Sequence, residues 1–393
     1  MSWPRLLLAF LIFGCLLGSV SSNPAAQKAR RNVSGTIPAT EFSRIVQEFS
    51  EKGGFFFSDN FISNETAYPF VLGKFKELEL SGGAYIGVGP EQNFNYIAKI
   101  RPQIAFIVDI RRQAVIQHLM YKAIFHRAEN RAQFLSWLFS KPLAGNHAPR
   151  RDSSLDEILA YIREAPTSEE IFSRNLETLR KTIEDDFHFP LSTEDVETLR
   201  FVYGTFWQAN LRISFRLGRA GFPGTWYGGF PTLQDLLLAT DAAGNRGSFL
   251  ASEEDYGFLR RLQRQNRIIP VVGDFAGKKA LAAVAGYLRE NGYTVTAFYT
   301  SNVEQYLFAD QVFGAFAENI RKLPVSSNSV ILRMVRTGWE PHPARIPGHR
   351  MTPLLQKITL FLDDYDQNLF PDYWSLATRD YIAPKSAVSY QEP

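Results

Sequence analysis

The chain has 393 residues, which suffices for one large α/β domain with an insertion or for two domains. Its 45% hydrophobic and 21% charged residues are typical of a soluble globular protein. The formal net charge of +3 indicates neither nucleic-acid binding nor an acidic tail, and the single cysteine, Cys15, excludes an internal disulfide bond.

Residues 1–22 have the composition of a signal peptide or a membrane anchor. An apolar run at 6–17 follows Arg5 and precedes small residues up to Ser22, where cleavage would release an exported protein, periplasmic or secreted. The basic residues within 28–31 favour the alternative, an uncleaved anchor that holds a cytoplasmic body at the membrane, because positive charge tends to stay on the cytoplasmic side. The sequence leaves both localisations open.

The stretch from Gly82 to Arg112 predicts a strand, a glycine turn, a helix and a second strand. A short apolar run at 84–86 ends at Gly87 and Gly89, and apolar residues then recur at helical spacing until Pro102. The second apolar run, 104–108, is continuous, as is typical of a parallel strand covered on both faces.

The residues at the ends of these two strands suggest nucleoside binding. Glycines allow a tight turn and a close approach of the backbone to a ligand, and the amide groups of the following helix can face an anion. Asp109 ends the second strand, 22 residues after Gly87, where an acid can accept hydrogen bonds from both hydroxyls of a ribose.

This unit resembles the first βαβ unit of nucleotide-binding Rossmann-like domains, and among them it is most similar to S-adenosylmethionine-dependent methyltransferases. The similar segments are 75–125 and 265–340, about a third of the chain. The pattern departs from the family at Tyr85, where an acid is usual, and at Glu91, where the third glycine would stand.

The resemblance implies a set of site residues and a cofactor. Gly273-Asp274 resembles the turn whose acid contacts the adenine amino group. The implied cofactor is S-adenosyl-L-methionine, and the cofactor-binding residues are Gly87, Gly89, Asp109 and Asp274. Tyr299 and Asn302 follow the fourth strand and are the candidates that would orient a methyl acceptor.

The predicted fold class is α/β: a doubly wound, mostly parallel, Rossmann-like sheet with a large helical insertion. After a linker at 23–38, residues 39–129 hold N-terminal helices and the first βαβ unit. Residues 130–265 form the mostly helical insertion, and 266–393 hold the second half of the sheet and a C-terminal segment.

Several details of the secondary structure follow from local signals. Helices are expected to begin after Thr40, Ser153, Ser168, Ser192, Thr232 and Ser252, each of which precedes a helical pattern. Further predictions are a helix over 114–137, a strand over the apolar run 268–272, a helix over 309–323 and a last strand over 357–362. The glycine- and aromatic-rich segment 222–230 is either a lid or a seal between the insertion and the core.

Other chemistries are disfavoured by the spacing of their residues. The turn at 273–279 is one residue short of a phosphate-binding loop and has Lys279 in place of the magnesium-binding hydroxyl. His118 and His126 lie too far apart on one helix to chelate an ion, so both are interpreted as structural and no metal site is predicted.

Three functions fit these patterns. The first is a nucleoside-cofactor-binding protein that acts as an S-adenosylmethionine-dependent methyltransferase. The second is an exported non-catalytic protein that uses the same scaffold for binding. The third is a sugar-nucleotide or dinucleotide enzyme, for which Asp109 would have the same role.

If residues 1–22 are a signal peptide, the mature protein begins near Asn23. Mass spectrometry of the protein purified from its native host should then find no peptide from the first 22 residues. Recovery of an intact Met1 or Ser2 terminus from the membrane fraction would instead establish the anchor.

Overall fold

The computed structural model describes residues 35–215, 229–336 and 341–385. The expected signal peptide or anchor at 1–22, most of the linker and residues 222–228 of the aromatic segment therefore lie outside the described residues. None of the helices within the described ranges is long and apolar enough to cross a bilayer.

The protein is an α/β structure built on a six-stranded, mostly parallel sheet, and it is compatible with a Rossmann-like fold. The strands are β1 Ala84–Gly87, β2 Ile104–Asp109, β3 Ile268–Val272, β4 Val295–Ser301, β5 Val325–Arg336 and β6 Met351–Lys357. Their order across the sheet is β3-β2-β1-β4-β5-β6. Neighbours from β3 to β5 are parallel, and β6 pairs with β5 in the antiparallel direction.

Helices precede the sheet, connect its strands and follow it. Before β3 they are α1 Ala39–Phe49, α2 Pro69–Glu77, α3 Gln92–Ile100, α4 Arg112–Arg127, α5 Arg131–Phe139, α6 Leu155–Glu164, α7 Glu169–Lys181, α8 Thr193–Ala209, α9 Leu233–Leu238 and α10 Glu253–Arg264. After β3 they are α11 Ala280–Glu290, α12 Val303–Ala309, α13 Phe313–Arg321, α14 Ile358–Asp366 and α15 Tyr373–Thr378.

The apolar runs of β2 and β3 do not alternate with polar residues, because both faces of the sheet are covered there. Every residue of β2 and of β3 is buried, which confirms the reading of their continuous apolar runs. β3 has the predicted bounds, and β2 extends one residue further, so that Asp109 is its last member.

Four of the six predicted helix starts are confirmed by side-chain caps. The hydroxyl groups of Ser168, Ser192, Thr232 and Ser252 each accept a hydrogen bond from a backbone amide of the first helical turn. Such caps satisfy amides that have no partner within the helix. The other two predicted starts were wrong, because Ser154 rather than Ser153 caps α6 and because α1 begins at Ala39, before Thr40.

Three predicted elements were wrong in their bounds. The helix over 114–137 is two helices, because Asn130 caps α5. The helix over 309–323 is the shorter α13, Phe313–Arg321, because α12 ends at Ala309 and Gln311, at a φ of 58°, separates the two. The last strand lies at Met351–Lys357, directly before the predicted position.

The residues from 358 onward form α14 instead of that strand. Ile358 and Phe361 are buried whereas Leu360 is 43% exposed, which is the burial period of a helix rather than of a strand. A short apolar run such as 358–362 fits both periods, and the sequence alone decides poorly between them.

The helices between β2 and β3 share their core with the sheet. Phe134 of α5 packs on Phe125 of α4, with ring centroids 4.7 Å apart, and on Phe249, at 5.7 Å. Phe249 in turn contacts Phe94 of α3, at 5.5 Å. Aromatic contacts thus connect this helical region to the first βαβ unit.

A buried ion pair connects β5 to α12. Arg333 donates to both carboxylate oxygens of Glu304 at 2.8 and 3.1 Å and to Gln356 Oε1 at 2.8 Å. Both charged side chains are 0% exposed. Removing one charge of such a pair leaves the other buried without compensation.

Glu304→Gln should therefore lower the free energy of unfolding by about 3–5 kcal/mol in a urea titration. Asp366→Asn is the matched control, since it removes an acid from the exposed Arg321–Asp366 pair, where solvent screens the charges. A loss in Glu304→Gln no larger than in the control would contradict this account of the pair.

Candidate functional site

A cavity of about 620 Å³ lies where four parallel strands end. Its walls include residues that follow β1 at Val88, end β2 at Asp109, follow β3 at Gly273, and end β4 at Ser301. The volume falls within the usual range of small-molecule sites, roughly 300–1,000 Å³.

The fold brings most of the predicted site residues to this cavity. Gly89, Asp109, Asp274, Tyr299 and Asn302 all line it, although they are distant from one another in the chain. The exception is Gly87, which lies behind the turn, against Asn93 and Tyr85.

The side chain of Asn93 holds the glycine turn in place. Its amide nitrogen lies 2.9, 3.0 and 2.8 Å from the carbonyl oxygens of Val88, Gly89 and Pro90. Its amide oxygen accepts a hydrogen bond from the Tyr85 hydroxyl at 3.0 Å. Tyr85, at the position where the resemblance led us to expect an acid, is thus a buried support of the turn.

His118 of α4 supports the same turn from the other side. Its Nε2 lies 2.8 Å from the carbonyl oxygen of Gly89, so Nε2 carries the hydrogen and donates it. Burial lowers the pKa of His118 to about 4, so that the ring is neutral, and its Nδ1 has no partner among the described residues. The ring therefore positions Gly89, in line with the structural interpretation of this histidine.

Asp109 is buried and is held by Arg111. The backbone amide and Nε of Arg111 donate to Oδ1 at 2.9 and 3.0 Å, and Nη2 donates to Oδ2 at 2.7 Å. Burial alone would raise the pKa of Asp109, but the Arg111 guanidinium holds it below its usual range. Three of the roughly four acceptor positions of this carboxylate are thus occupied.

Arg111 also fastens the segment that precedes the first strand. Its Nη1 donates to the carbonyl oxygens of Ser58 and Asp59 at 3.2 and 2.6 Å, and its guanidinium carbon lies 5.8 Å from the centre of the Phe56 ring. Residues 51–65 consequently cover the carboxyl edge of the sheet and form one wall of the cavity.

Asp274 lies on the opposite wall, in the turn after β3. Its Oδ1 accepts a hydrogen bond from the amide of Ala276 at 2.8 Å. The turn is tied to β2, because the amide of Gly273 donates to the carbonyl oxygen of Asp109 at 2.9 Å. A side chain at Gly273 would lie only 2.8 Å from Val108 Cγ1, so the close packing of this turn requires glycine.

Glu65 is the site residue that the sequence did not reveal. It is buried, lines the cavity, and accepts hydrogen bonds of 2.5 Å from the hydroxyl groups of Tyr299 and Ser301 at the end of β4. Burial raises the pKa of Glu65 to about 7, although both hydrogen bonds oppose the shift. No local pattern could have found it, because its partners lie 234 and 236 residues away.

Glu91 is a second buried carboxyl group, at the start of α3. It accepts hydrogen bonds from the amide of Ser63 at 3.0 and 3.3 Å. Burial raises the pKa of Glu91 to about 7, and the neighbouring charge of Glu65 adds to the shift. Unlike Glu65, it is not part of the cavity wall.

The mouth of the cavity is apolar. Phe55, Phe57 and Val312 line it and are 87%, 47% and 37% exposed. They are three of the four large hydrophobic residues that are exposed in the described ranges. Exposed apolar groups concentrated at one opening indicate a binding surface.

The described residues contain no group of three or more His, Cys, Asp or Glu side chains that could hold a metal ion. The sequence model of one family, described as a domain of unknown function (DUF7790), matches the chain at residues 60–189 and 154–367. No curated protein matches the chain.

The turn after β1 offers a matched pair of glycine variants. In Gly87→Ala, the added Cβ would collide with Asn93 Oδ1 and lie 2.9 Å from the Tyr85 hydroxyl oxygen. In Gly89→Ala, the Cβ would meet no atom within 4 Å, and only the φ of +78° would be unfavourable.

Gly87→Ala should therefore lower the free energy of unfolding by about 2–4 kcal/mol, through overpacking and loss of the Tyr85–Asn93 hydrogen bond. Gly89→Ala should cost about 1 kcal/mol. Urea unfolding of the two variants measures the difference, and an equal or reversed ranking would show that Asn93 does not fix the turn.

Proposed function

The chain belongs to the DUF7790 family, and from its cavity we propose that it binds a nucleoside-containing cofactor, S-adenosyl-L-methionine, and acts as a methyltransferase. The observation that carries the proposal is the convergence of Gly89, Asp109 and Asp274 on one cavity at the carboxyl ends of three neighbouring strands.

The position of the cavity in the sheet supports this function. The chain runs from β1 to β2 and β3 on one side and continues with β4 on the other side of β1. In open α/β sheets, ligands bind in the crevice at such a switch point. The strand order is that of the doubly wound dinucleotide-binding fold, with helices α5 to α10 as a helical insertion and with an antiparallel edge strand, a common variation.

The residues around the cavity suit the parts of a nucleoside. Asp274 offers a carboxylate oxygen for the adenine amino group, and the backbone at Gly89 leaves open space for close approach of a ligand. Asp109 retains about one acceptor position beside its bonds to Arg111, enough for one hydroxyl of the ribose.

The start of α3 favours S-adenosylmethionine over a dinucleotide. In dinucleotide-binding domains the pyrophosphate lies at this helix terminus, where amide groups and the helix dipole attract negative charge. Here Glu91 is the residue that precedes the first turn of α3, and a phosphate beside it would be repelled whenever Glu91 is ionised.

Methyl transfer requires few catalytic side chains from the protein. When bound, S-adenosylmethionine supplies an electrophilic methyl group, and the chain has to align an acceptor with it. Tyr299 and Asn302 lie at the switch point and are proposed to position that acceptor. The hydroxyl of Tyr299 donates to Glu65, so Tyr299 would act together with that carboxyl group.

Two observations favour a non-catalytic binding protein as the second candidate. Tyr85 replaces the usual acid, and most of the Asp109 carboxylate is engaged by Arg111. The cellular location of the protein distinguishes between the two candidate functions, because S-adenosylmethionine is made in the cytosol. A methyltransferase requires that the protein is anchored in the membrane with its folded part on the cytoplasmic side. An exported protein, periplasmic or secreted, would instead be the binding protein.

Isothermal titration of the full chain tests the proposal directly. S-adenosylmethionine and S-adenosylhomocysteine should bind, and NAD should bind more weakly. Asp274→Ala should weaken both adenosyl ligands about tenfold, the effect of one hydrogen bond to a charged acceptor.

Asp310→Ala is the control, because it removes an acid from the same cavity near its apolar mouth, and it should leave the affinities unchanged. Wild-type protein that binds neither adenosyl ligand, or that prefers NAD, would contradict the proposed cofactor.

A further inference from the structure

Glu65 is a buried acid without a compensating cation. Two other buried acids, Asp109 and Glu304, each form an ion pair with an arginine. Within the described ranges, the Glu65 carboxyl group has only the hydroxyl groups of Tyr299 and Ser301 as hydrogen-bond partners, and it forms no ion pair. An ionised carboxylate in such a place is costly unless a cation accompanies it.

The surroundings of Glu65 increase this cost. Glu91 lies close enough for the charge of Glu65 to contribute to raising the pKa of Glu91. Tyr85, Tyr96 and Tyr299 are buried around Glu65, and besides burial its charge helps to raise the pKa of each of these hydroxyl groups. The groups that contact the Glu65 carboxyl group are therefore neutral, the nearest charged group that the structure couples to it is another acid, and arginines such as Arg111 and Arg336 line the same cavity without forming an ion pair with it.

The carboxyl group is nevertheless held in a fixed position at the cavity. Each of its oxygens accepts one hydroxyl hydrogen bond, at 2.5 Å, so about two acceptor positions are left. Ser301 makes its contact from a left-handed backbone conformation, with a φ of 52°. Strained residues of this kind cluster at ligand sites, where the surrounding structure maintains them.

We propose that Glu65, together with Tyr299 and Ser301, binds a positively charged amine of the ligand. The missing countercharge is then supplied by an ammonium group, whose hydrogens point at the open acceptor positions of the carboxylate. The inference rests on the proposed function and narrows its ligand class to nucleosides that carry an ammonium group. A ligand with phosphate groups at this wall would place negative charge against a buried acid.

The test compares two ligands that differ only in this group. The full chain is titrated with S-adenosylhomocysteine and with its analogue that lacks the amino group and keeps the carboxylate. Wild-type protein should bind S-adenosylhomocysteine about ten- to a hundredfold more tightly, the effect of one or two charge-assisted hydrogen bonds. In Glu65→Gln the two ligands should bind almost equally.

Glu91→Gln is the matched control. It removes the other buried glutamate whose pKa burial raises to about 7, but that residue is not part of the cavity wall. The preference for the amine should persist in this variant. Thermal unfolding of both variants shows whether each is folded.

Two results would overturn the amine site and leave nucleoside binding intact. One is that the wild-type protein binds both ligands equally. This result does not depend on the folding of any variant. The other is a folded Glu65→Gln protein that keeps the full preference. If neither ligand binds the wild-type protein, the proposed function fails and the amine site fails with it.

Discussion

Four parallel strands end at one edge of the sheet. The polar groups at these strand ends are largely buried, so they need hydrogen-bond partners within the protein. This constraint determines how the edge is built. Asn93 satisfies the carbonyl groups of the glycine turn, and Arg111 satisfies Asp109 and two carbonyl groups of the preceding segment. Once these bonds are made, the remaining open space is a cavity with fixed walls.

Two buried acids at this edge have different hydrogen-bond partners. Asp109 receives three hydrogen bonds from Arg111, which favour its ionised form. Glu65 receives two hydroxyl groups and no cation from the described residues, so burial dominates and raises its pKa to about 7. The first acid therefore stabilises the fold and keeps about one acceptor position, whereas the second keeps about two for a ligand. Pairs of acids with such different environments are typical of functional sites.

The sequence predicted those features that depend on neighbouring residues. The runs of β2 and β3, the caps at Ser192 and Thr232, and the meeting of strand ends follow from local patterns and from the geometry of parallel sheets. Features that depend on distant residues were missed. Glu65 has its partners more than 230 positions away, and the Asn93 brace becomes visible only when the turn is folded.

The sequence predicted the position of Asp109 in the fold but did not determine what its carboxylate binds. The spacing placed an acid at the end of β2, and it does line the cavity. The spacing did not reveal that Arg111, two residues later, would fold back onto the carboxylate. The error over 358–362 has a similar cause, since a short apolar run becomes a strand or a helix according to what packs against it.

The most direct test of this account is a crystal structure of the full chain with S-adenosylhomocysteine. The account predicts the adenosyl group between Gly89 and Asp274, with the ammonium nitrogen about 2.7–2.9 Å from a carboxylate oxygen of Glu65. A ligand bound elsewhere would contradict the central claim. So would one that lies in the cavity with its ammonium group directed away from Glu65.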